Sequence, residues 1–313
     1  MKLSSFIYKC FIYATIVLFL LHISSFFIEY SYPLERLSHF RVQYFILLLI
    51  CFIYFICMKA KNAVIFSLAA SIFMGAPLVP YYQSHRPENF SDNPVQLKVL
   101  VSNVLVNNKN SEPILQYIKK RDPDVVSFLE IDERWMKEIE PLTKDYPYKH
   151  HATAGGFFDV AVFSKTELKN SHIEYFGESS APTLLSTITI EGKDIQIIAA
   201  HPVPPISPEY LERRNKQIKS TAEFIEKSDL PTILMGDLNI TMWSPYYTQL
   251  ETTANLVNTR KGFGILPSWP TYWPWLQIPI DHILVSKNFR IDHLETGPNI
   301  GSDHLPMYVE VSL

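Results

Sequence analysis

Apolar positions divide the chain into two parts of different character. Three long apolar runs, at residues 10–28, 42–58 and 63–79, contain no Asp, Glu, Lys or Arg. Because crossing about 30 Å of hydrocarbon takes about 20 apolar residues, these runs predict a membrane region over residues 1–80 with three transmembrane helices. Buried helices of a soluble domain are the alternative for the two shorter runs. Three runs in succession, with tyrosines near their ends, favour membrane spans.

A cleaved signal peptide is the alternative for the first run. The apolar core of a signal peptide is about 7–15 residues long and ends in small residues, whereas this run is longer and ends in Phe-Phe-Ile-Glu-Tyr. Lys and Arg in short connections concentrate on the cytoplasmic side of a membrane. Lys2, Lys9, Lys59 and Lys61 lie on one predicted side, against Arg36, Arg41 and Arg86 on the other. The sequence therefore predicts an integral protein of the cell inner membrane whose residues after 80 are extracytoplasmic.

The remaining sequence has the pattern of a soluble α/β domain. A polar stretch at 81–95 predicts a linker, and from 96 to 313 short apolar runs alternate with helical patterns. Strands are predicted at 97–101, 125–129, 160–163, 184–190, 195–200, 232–235, 280–285 and 307–311, and helices at 112–120 and 208–227. Because strands outnumber helices and both occur throughout, we expect sheets covered by helices in layers.

Composition narrows the chemistry. The 313 residues carry a net charge of −3, which argues against a strongly basic nucleic-acid binder. The cysteines are Cys10, Cys51 and Cys57, all in the apolar part. A disulfide framework or a cysteine-based zinc site is therefore excluded from residues 81–313, and such a domain suits an oxidising compartment.

Polar residues of catalytic type recur where the predicted strands end, which is where open α/β sheets place their sites. In chain order they are Asn103, Glu130, His201, Asp237, Asn239, Asp281, Asp303 and His304. Each alone has an ordinary explanation, since Asn103 suits a turn, and Asp237 with Asn239 suits a turn after an apolar strand. The adjacent acid and imidazole at 303–304 are the least ordinary of the set.

Together these residues resemble the endonuclease/exonuclease/phosphatase family, whose members include DNase I. The resemblance rests on GDLN at 236–239 and SDH at 302–304, with the other residues in the family's order, and it covers residues 96–313. It implies a DNase I-like four-layer α/β sandwich after the transmembrane helices. The apolar N-terminal runs, HPVPP at 201–205 and SWPTYWP at 268–274 look most like VanJ-type membrane-anchored members.

The resemblance also implies a metal site. Glu130 and Asn103 match the family's metal positions, and Asp303 matches a carboxylate at that site. Carboxylate and amide oxygens suit Mg²⁺, with Mn²⁺ as a substitute. Asp237 matches the residue that orients or deprotonates the attacking water, and Asn239 matches a contact to a phosphate oxygen.

Two imidazoles complete the implied machinery. His304 matches an imidazole that acts on the phosphate, with Asp281 as the carboxylate that fixes its tautomer. His201 matches a second imidazole near the phosphate or the leaving group. Leu105 stands where some family members have a second acid, which favours one tightly held metal ion over two.

Other polar and aromatic residues carry less information. Arg213 and Arg214, in the predicted helix at 208–227, are expected on a solvated face, with a contact to the phosphate as the alternative. An aromatic cluster precedes Asp281, and core packing, a membrane-facing rim and substrate contact all stay open for it. Its members are Trp269, Tyr272, Trp273 and Trp275.

The leading hypothesis is a membrane-anchored, Mg²⁺-dependent hydrolase of a phosphoester or pyrophosphate bond, with the phosphate on a polyprenyl or other lipid. The anchor would keep the site near lipid head groups. Within the enzyme class, the alternative is a nuclease or a sphingomyelinase-like phosphodiesterase, and a nuclease is expected to be more basic. A non-catalytic membrane scaffold is the alternative of another class, and every core position of the family pattern is filled here.

Overall fold

The computed structural model describes residues 2–24, 27, 32–83 and 94–313. The predicted linker at 81–95 lies mostly outside the described residues, together with Arg86 and the end of the first apolar run. The N-terminal part consists of α1 (Lys2–Ser24), α2 (Tyr32–Ser38), α3 (Arg41–Cys57) and α4 (Lys61–Gly75), and a 3₁₀ turn continues α4 over Ala76–Tyr82.

Two of the described helical stretches, Ser5–Ser24 and Lys61–Tyr82, are long and apolar enough to cross a membrane. Taken together, α2 and α3 are also long and apolar enough for a third crossing, with a bend of 65° at the break between them. Large apolar side chains on these helices face outward, among them Leu20, Ile53 and Ile72, each more than half exposed. A helix that is apolar all round fits a hydrocarbon surrounding.

The rest of the described chain forms two six-stranded sheets. The first sheet has the order β11-β12-β1-β2-β4-β3 and the second the order β5-β6-β7-β8-β10-β9. The strands are β1 (Gln96–Asn103), β2 (Val125–Leu129), β3 (Tyr148–Ala152), β4 (Val160–Ser164), β5 (Lys169–Glu174), β6 (Thr183–Ile190), β7 (Lys193–Ala200), β8 (Thr232–Asp237), β9 (Leu256–Asn258), β10 (Asp281–Ser286), β11 (Arg290–Thr296) and β12 (Met307–Ser312). The helices are α5 (Glu112–Arg121), α6 (Glu133–Glu138), α7 (Pro208–Glu226) and α8 (Pro245–Thr253).

Burial shows how these elements stack. Apolar side chains from the facing sides of both sheets, such as Val101 and Ile197, form one cluster between them. On the outer face of the first sheet, Phe128 packs in a cluster with Ile118 of α5 and Trp135 of α6. The helices α7 and α8 cover the second sheet in the same way. The result is a helix–sheet–sheet–helix sandwich, which confirms the predicted fold class.

The N-terminal helices pack directly on this sandwich. Leu78 and Tyr81 belong to the same hydrophobic cluster as α7 and α8, and Phe45 of α3 packs against it. The Tyr81 ring meets the Trp243 ring edge-on, with centroids 5.6 Å apart. The apolar helices are therefore attached to the domain by side-chain packing in its core as well as by the polypeptide connection.

Candidate active site

Two pairs of parallel strands bring four of the predicted residues to one end of the sandwich. In the first sheet β1 runs parallel to β2, so Asn103 at the end of β1 lies near Glu130, which follows β2. In the second sheet β7 runs parallel to β8, so His201 and Asp237 are neighbours in the same way. The carboxyl ends of parallel strands are a usual place for a site.

Asp281 and His304 reach the same end through antiparallel strands. Since β10 is antiparallel to β8, its first residue, Asp281, lies directly opposite Asp237. Since β12 is antiparallel to β1, with Met307 opposite Val101, the turn that carries His304 lies beyond the end of β1. Each sheet thus contributes half of the cluster, and the packing of the two sheets brings the halves together.

The cluster is joined by short contacts. His304 Nδ1 lies 2.8 Å from Asp281 Oδ2, and His304 Nε2 lies 3.6 Å from Asp237 Oδ2. His201 Nε2 is 3.5 Å from that same oxygen of Asp237. Asn103 donates from Nδ2 to Glu130 Oε1 at 3.0 Å and to Asp237 Oδ2 at 3.3 Å. All of these side chains except Glu130 are buried.

Charge decides the protonation of the two imidazoles. Burial opposes a charge on His304, but the carboxylates of Asp281 and Asp237 outweigh it and raise the pKa of His304 to about 10. Burial likewise opposes a charge on His201, and Asp237 raises its pKa above the ordinary value. Burial disfavours the charged form of Asp237, yet His304 and His201 hold its pKa below the ordinary value. At neutral pH His304 is therefore an imidazolium ring beside the ionised carboxylate of Asp237.

Two residues at the edge of this site have a left-handed backbone conformation. Glu130 has φ 57° and Asn239 has φ 52°, conformations that cost a residue with a side chain roughly 1–2 kcal/mol. The Glu130 amide is held by a hydrogen bond to the Asp159 carbonyl oxygen at 3.0 Å. Asn239 donates from its backbone N to Asp237 Oδ1 at 2.9 Å and from Nδ2 to the Pro202 carbonyl at 3.0 Å. Such strained residues cluster at functional sites, where the surrounding structure fixes them.

The predicted metal ligands supply suitable atoms. Asp303 accepts a hydrogen bond on Oδ2 from Trp269 Nε1 at 3.0 Å, while its buried Oδ1 has no hydrogen-bond partner among the described residues. Glu130 is only partly buried and lines the cavity beside Asp303. The side-chain oxygen of Asn103 accepts from the Leu105 N–H at 3.1 Å, so a metal role for Asn103 requires its amide to turn over. Carboxylate oxygens of this kind fit Mg²⁺.

A second set of atoms that could hold a metal ion lies within the cluster. Ligand atoms of Asp237, Asp281 and His304 are all within 4.8 Å of one another. The Nδ1 atom of His304 already bonds Asp281, and Nε2 faces Asp237. We therefore interpret these three residues as a hydrogen-bonded acid–base unit and assign the ion to the Glu130 side.

A cavity of about 830 Å³ opens above the cluster. Its floor includes Glu130, His201, Asp237, Asn239, Asp303 and His304. Its walls include aromatic and apolar side chains that the sequence did not single out, among them Tyr32, Phe40, Phe157 and Ile206. The size is typical of sites for organic ligands. The sequence has no hydrophobic periodicity that marks these wall residues. Several of them belong to α2, a seven-residue helix between two apolar runs, which is too short to show a helical pattern.

The expectation for Arg213 and Arg214 is half wrong. Arg213 is exposed and pairs with Glu209 on the same helix, as a solvated residue should. Arg214 is fully buried and donates from Nη2 to Glu35 of α2 at 2.6 Å and from Nη1 to the Asn239 carbonyl at 2.7 Å. Its position repeats at helical spacing with the buried Ile218 and Ile225, and this spacing was the signal available in the sequence.

The four members of the aromatic cluster have different surroundings. Trp269 lines the cavity and binds Asp303, as described above. Tyr272, Trp273 and Trp275 are 59%, 52% and 71% exposed, so core packing is excluded for them. The neighbouring Gln277 accepts a hydrogen bond on its carbonyl from Gln43 of α3 at 2.9 Å, so this loop lies beside the start of an apolar helix.

Solved structures of several other proteins have this two-sheet fold. Human nocturnin's catalytic domain with bound sulfate is 18% identical, with a TM-score of 0.59, covering 73% of this chain and 99% of that one. A humanized D. rerio TDP2 is 16% identical, with a TM-score of 0.59, covering 69% and 98%. A beta toxin mutant from Staphylococcus aureus with bound magnesium ions is 19% identical, with a TM-score of 0.54, covering 68% and 99%.

The model of the endonuclease/exonuclease/phosphatase family matches residues 100–304, and the chain belongs to this family. Among curated protein sequences, none is similar enough to count as a match. The chain is therefore an enzyme, a hydrolase that acts on phosphoester bonds, and the scaffold hypothesis is set aside.

Proposed function

We propose that this protein is a membrane-anchored, Mg²⁺-dependent phosphoesterase that cleaves a phosphoester or pyrophosphate bond of a lipid-linked substrate, as the resemblance to VanJ-type members suggests. The observation that carries the proposal is the cavity. Its floor holds the charged cluster, and its walls are mostly apolar and include residues of α2 between the first two apolar helices. A phosphate joined to a hydrocarbon chain matches both surfaces.

Contacts across the chain support three membrane crossings. Glu35 of α2 bonds Arg214 of α7, so α2 and the sandwich are on the same side of the membrane. The number of crossings between them must then be even, which requires α3 and α4 both to span or neither to span. Because the stretch Lys61–Tyr82 is long and apolar enough to span, we infer that both do. Together with α1 this makes three spans, and the basic residues favour an extracytoplasmic hydrolase domain in the cell inner membrane.

Each residue of the cluster then has a proposed role. Asp237 orients the attacking water; its lowered pKa makes it a weak base and favours orientation over deprotonation. His304, held by Asp281, presents a positive charge to the phosphate and donates a proton to the leaving group. His201 and Asn239 contact the remaining phosphate oxygens or the leaving group.

Glu130, Asp303 and Asn103 are the proposed ligands of Mg²⁺, which Mn²⁺ could replace. Bound at these oxygens, the ion would neutralise charge on the phosphate. The net charge of −3 and the three carboxylates on the cavity floor do not favour a nucleic-acid substrate.

The decisive experiment measures product release by the full-length protein in detergent, with and without Mg²⁺. The substrates are a prenyl pyrophosphate, phospholipids, sphingomyelin and DNA, and the His304→Ala protein is the control. We expect Mg²⁺-dependent release from the prenyl pyrophosphate. Preferential cleavage of DNA or sphingomyelin would replace the proposal with the nuclease or the sphingomyelinase-like alternative.

A second experiment tests the orientation. Protease added to intact spheroplasts should cleave the chain after residue 81. If the domain is cut only after the membrane is breached, the extracytoplasmic assignment is wrong.

A further inference from the structure

The helix α2 is fastened to the part of the domain that carries the catalytic cluster. Glu35 and Arg214 form an ion pair at 2.6 Å, and both side chains are fully buried. The same arginine bonds the carbonyl of Asn239, and His39 lies 2.9 Å from Thr241 through Nδ1 and Oγ1. These three contacts tie α2 to residues 239–241, directly after the Asp237 strand. A buried pair of this kind fixes position because losing either partner leaves an uncompensated charge.

Several residues of α2 and of the turn that follows it line the cavity. Tyr32, Leu37 and Phe40 form an apolar wall, and Phe158 and Ile206 of the sandwich line the cavity as well. A substrate whose phosphate reaches His304 on the floor would have its next atoms between these walls. The hydrolase domain without α2 would have an incomplete cavity.

Arg36 adds charge to this wall. Of the described residues that line the cavity, it alone is an arginine or lysine. Its Nη1 donates to the Tyr32 hydroxyl oxygen at 3.2 Å, and its guanidinium carbon lies 5.6 Å from the centre of the Tyr32 ring. The guanidinium is exposed, and the nearby floor carries carboxylates that repel an anion. A cation at the cavity wall would offset that repulsion and suits phosphate oxygens.

We propose that α2 is a specificity-determining part of the substrate site, in which Arg36 binds an anionic oxygen of the substrate and Leu37 and Phe40 bind its hydrocarbon chain. This rests on the proposed function, because it assumes that a phosphate binds at the His304 cluster. It goes beyond that function by assigning substrate choice to the segment between two membrane helices.

The test compares KM and kcat of the full-length protein on farnesyl pyrophosphate and on p-nitrophenyl phosphate, which has no long hydrocarbon chain. Arg36→Gln should raise KM for farnesyl pyrophosphate about ten- to a hundredfold, the effect of losing one hydrogen bond to a charged group, with kcat little changed. The double change of Leu37 and Phe40 to Ala should raise KM for farnesyl pyrophosphate only. Arg213→Gln, which removes an exposed arginine of α7 that does not line the cavity, is the matched control and should change neither value.

Equal losses on both substrates in the Leu37 and Phe40 double variant, or a wild-type KM for farnesyl pyrophosphate in Arg36→Gln, would overturn the inference while leaving the proposed function intact. If wild-type protein hydrolyses neither substrate, the proposed function fails, and binding of radiolabelled farnesyl pyrophosphate decides about α2. Wild-type binding that weakens tenfold or more in Arg36→Gln, but not in Arg213→Gln, supports the inference. Equal binding, or no binding by any of the proteins, refutes it.

Discussion

The pairing of His304 with Asp281 gives the sharpest test of the catalytic cluster. Their hydrogen bond is 2.8 Å long, and both side chains are almost fully buried. We consider Asp281→Asn, which keeps the shape and can still hold the ring but removes the negative charge. If the pair is a catalytic unit, this change should lower kcat, and His304→Ala should lower it by about 10²–10⁴-fold.

The structure also predicts how far Asp281→Asn should shift the pKa of His304. Two carboxylates raise the pKa of His304 to about 10, and Asp281 is the stronger of the two. A hydrogen bond to a charged group is worth about 1.5–3 kcal/mol, which corresponds to roughly 1–2 pKa units. Asp281→Asn should therefore lower the pKa of His304 by about that amount in metal-free protein.

The linkage between this pKa and stability has a definite sign. Because the folded pKa of His304 lies above the ordinary value of 6.5, its contribution to the free energy of unfolding is complete below pH 6.5 and is lost as the pH rises through about 10. The Asp281→Asn protein should lose less stability over that window than the wild type. NMR titration of the imidazole and chemical unfolding at several pH values measure the two quantities.

Kinetics of the two single variants and the double variant complete the test. Residues that act as one unit give losses in kcat that do not add. Additive losses, or an unmoved imidazole titration in Asp281→Asn, would refute the pairing. A purely structural pair would lower the melting temperature while the folded fraction kept a near-normal kcat.

The remaining predictions concern the metal, the backbone, the α2 contact and the exposed aromatic loop. Glu130→Gln should raise the Mg²⁺ concentration needed for half-maximal activity steeply while leaving the melting temperature near normal. Gly236→Ala should prevent correct folding, as seen by thermal unfolding, because its Cβ would lie 1.8 Å from the Ala200 carbonyl oxygen. Glu35→Gln should cost about 3–5 kcal/mol in the free energy of unfolding, since it leaves a buried arginine without its counter-charge. Replacing Trp273 and Trp275 by Ala should reduce turnover of a lipid phosphate much more than turnover of a soluble phosphoester.

Each of these variants has a control and a contradicting result. An unchanged Mg²⁺ titration would remove Glu130 from the metal site. Gly192→Ala, where no atom lies within 4 Å of the added Cβ, should cost little compared with Gly236→Ala. Arg214→Met should recover part of the stability lost in Glu35→Gln, and a further loss instead would contradict the ion-pair explanation. Equal effects of the tryptophan changes on both substrates would exclude a role in substrate choice.

Sequence patterns predicted the centre of the fold better than its edges. The strands at 125–129 and 232–235 were predicted because every side chain there is buried, so their residues are apolar except for Ser127 and Thr232. The missed β5, with sequence KNSHIE, is exposed along its whole length, and its backbone pairing with β6 determines its structure. Such an edge strand carries no apolar pattern that could distinguish it from a loop.

The sequence could predict those residues of the candidate site that lie at the ends of apolar strands. Asp237 and Asp281 each follow an apolar strand or begin one, and the pairing of β8 with β10 brings them face to face. The cavity walls could not be predicted in this way. Tyr32 and Arg36 reach the cavity only because a buried ion pair holds α2 against a helix that lies far along the chain.

The order of strands in the first sheet has a consequence for biosynthesis. β1 lies between β2 and β12, yet β12 is synthesised after the whole second sheet. The apolar edge of β1 therefore stays unpaired while the ribosome makes most of the domain, and long-range pairing of this kind is slow. His304 emerges only just before β12. A nascent chain on the ribosome therefore lacks the complete His304–Asp281 pair and cannot yet hydrolyse a phosphoester with it.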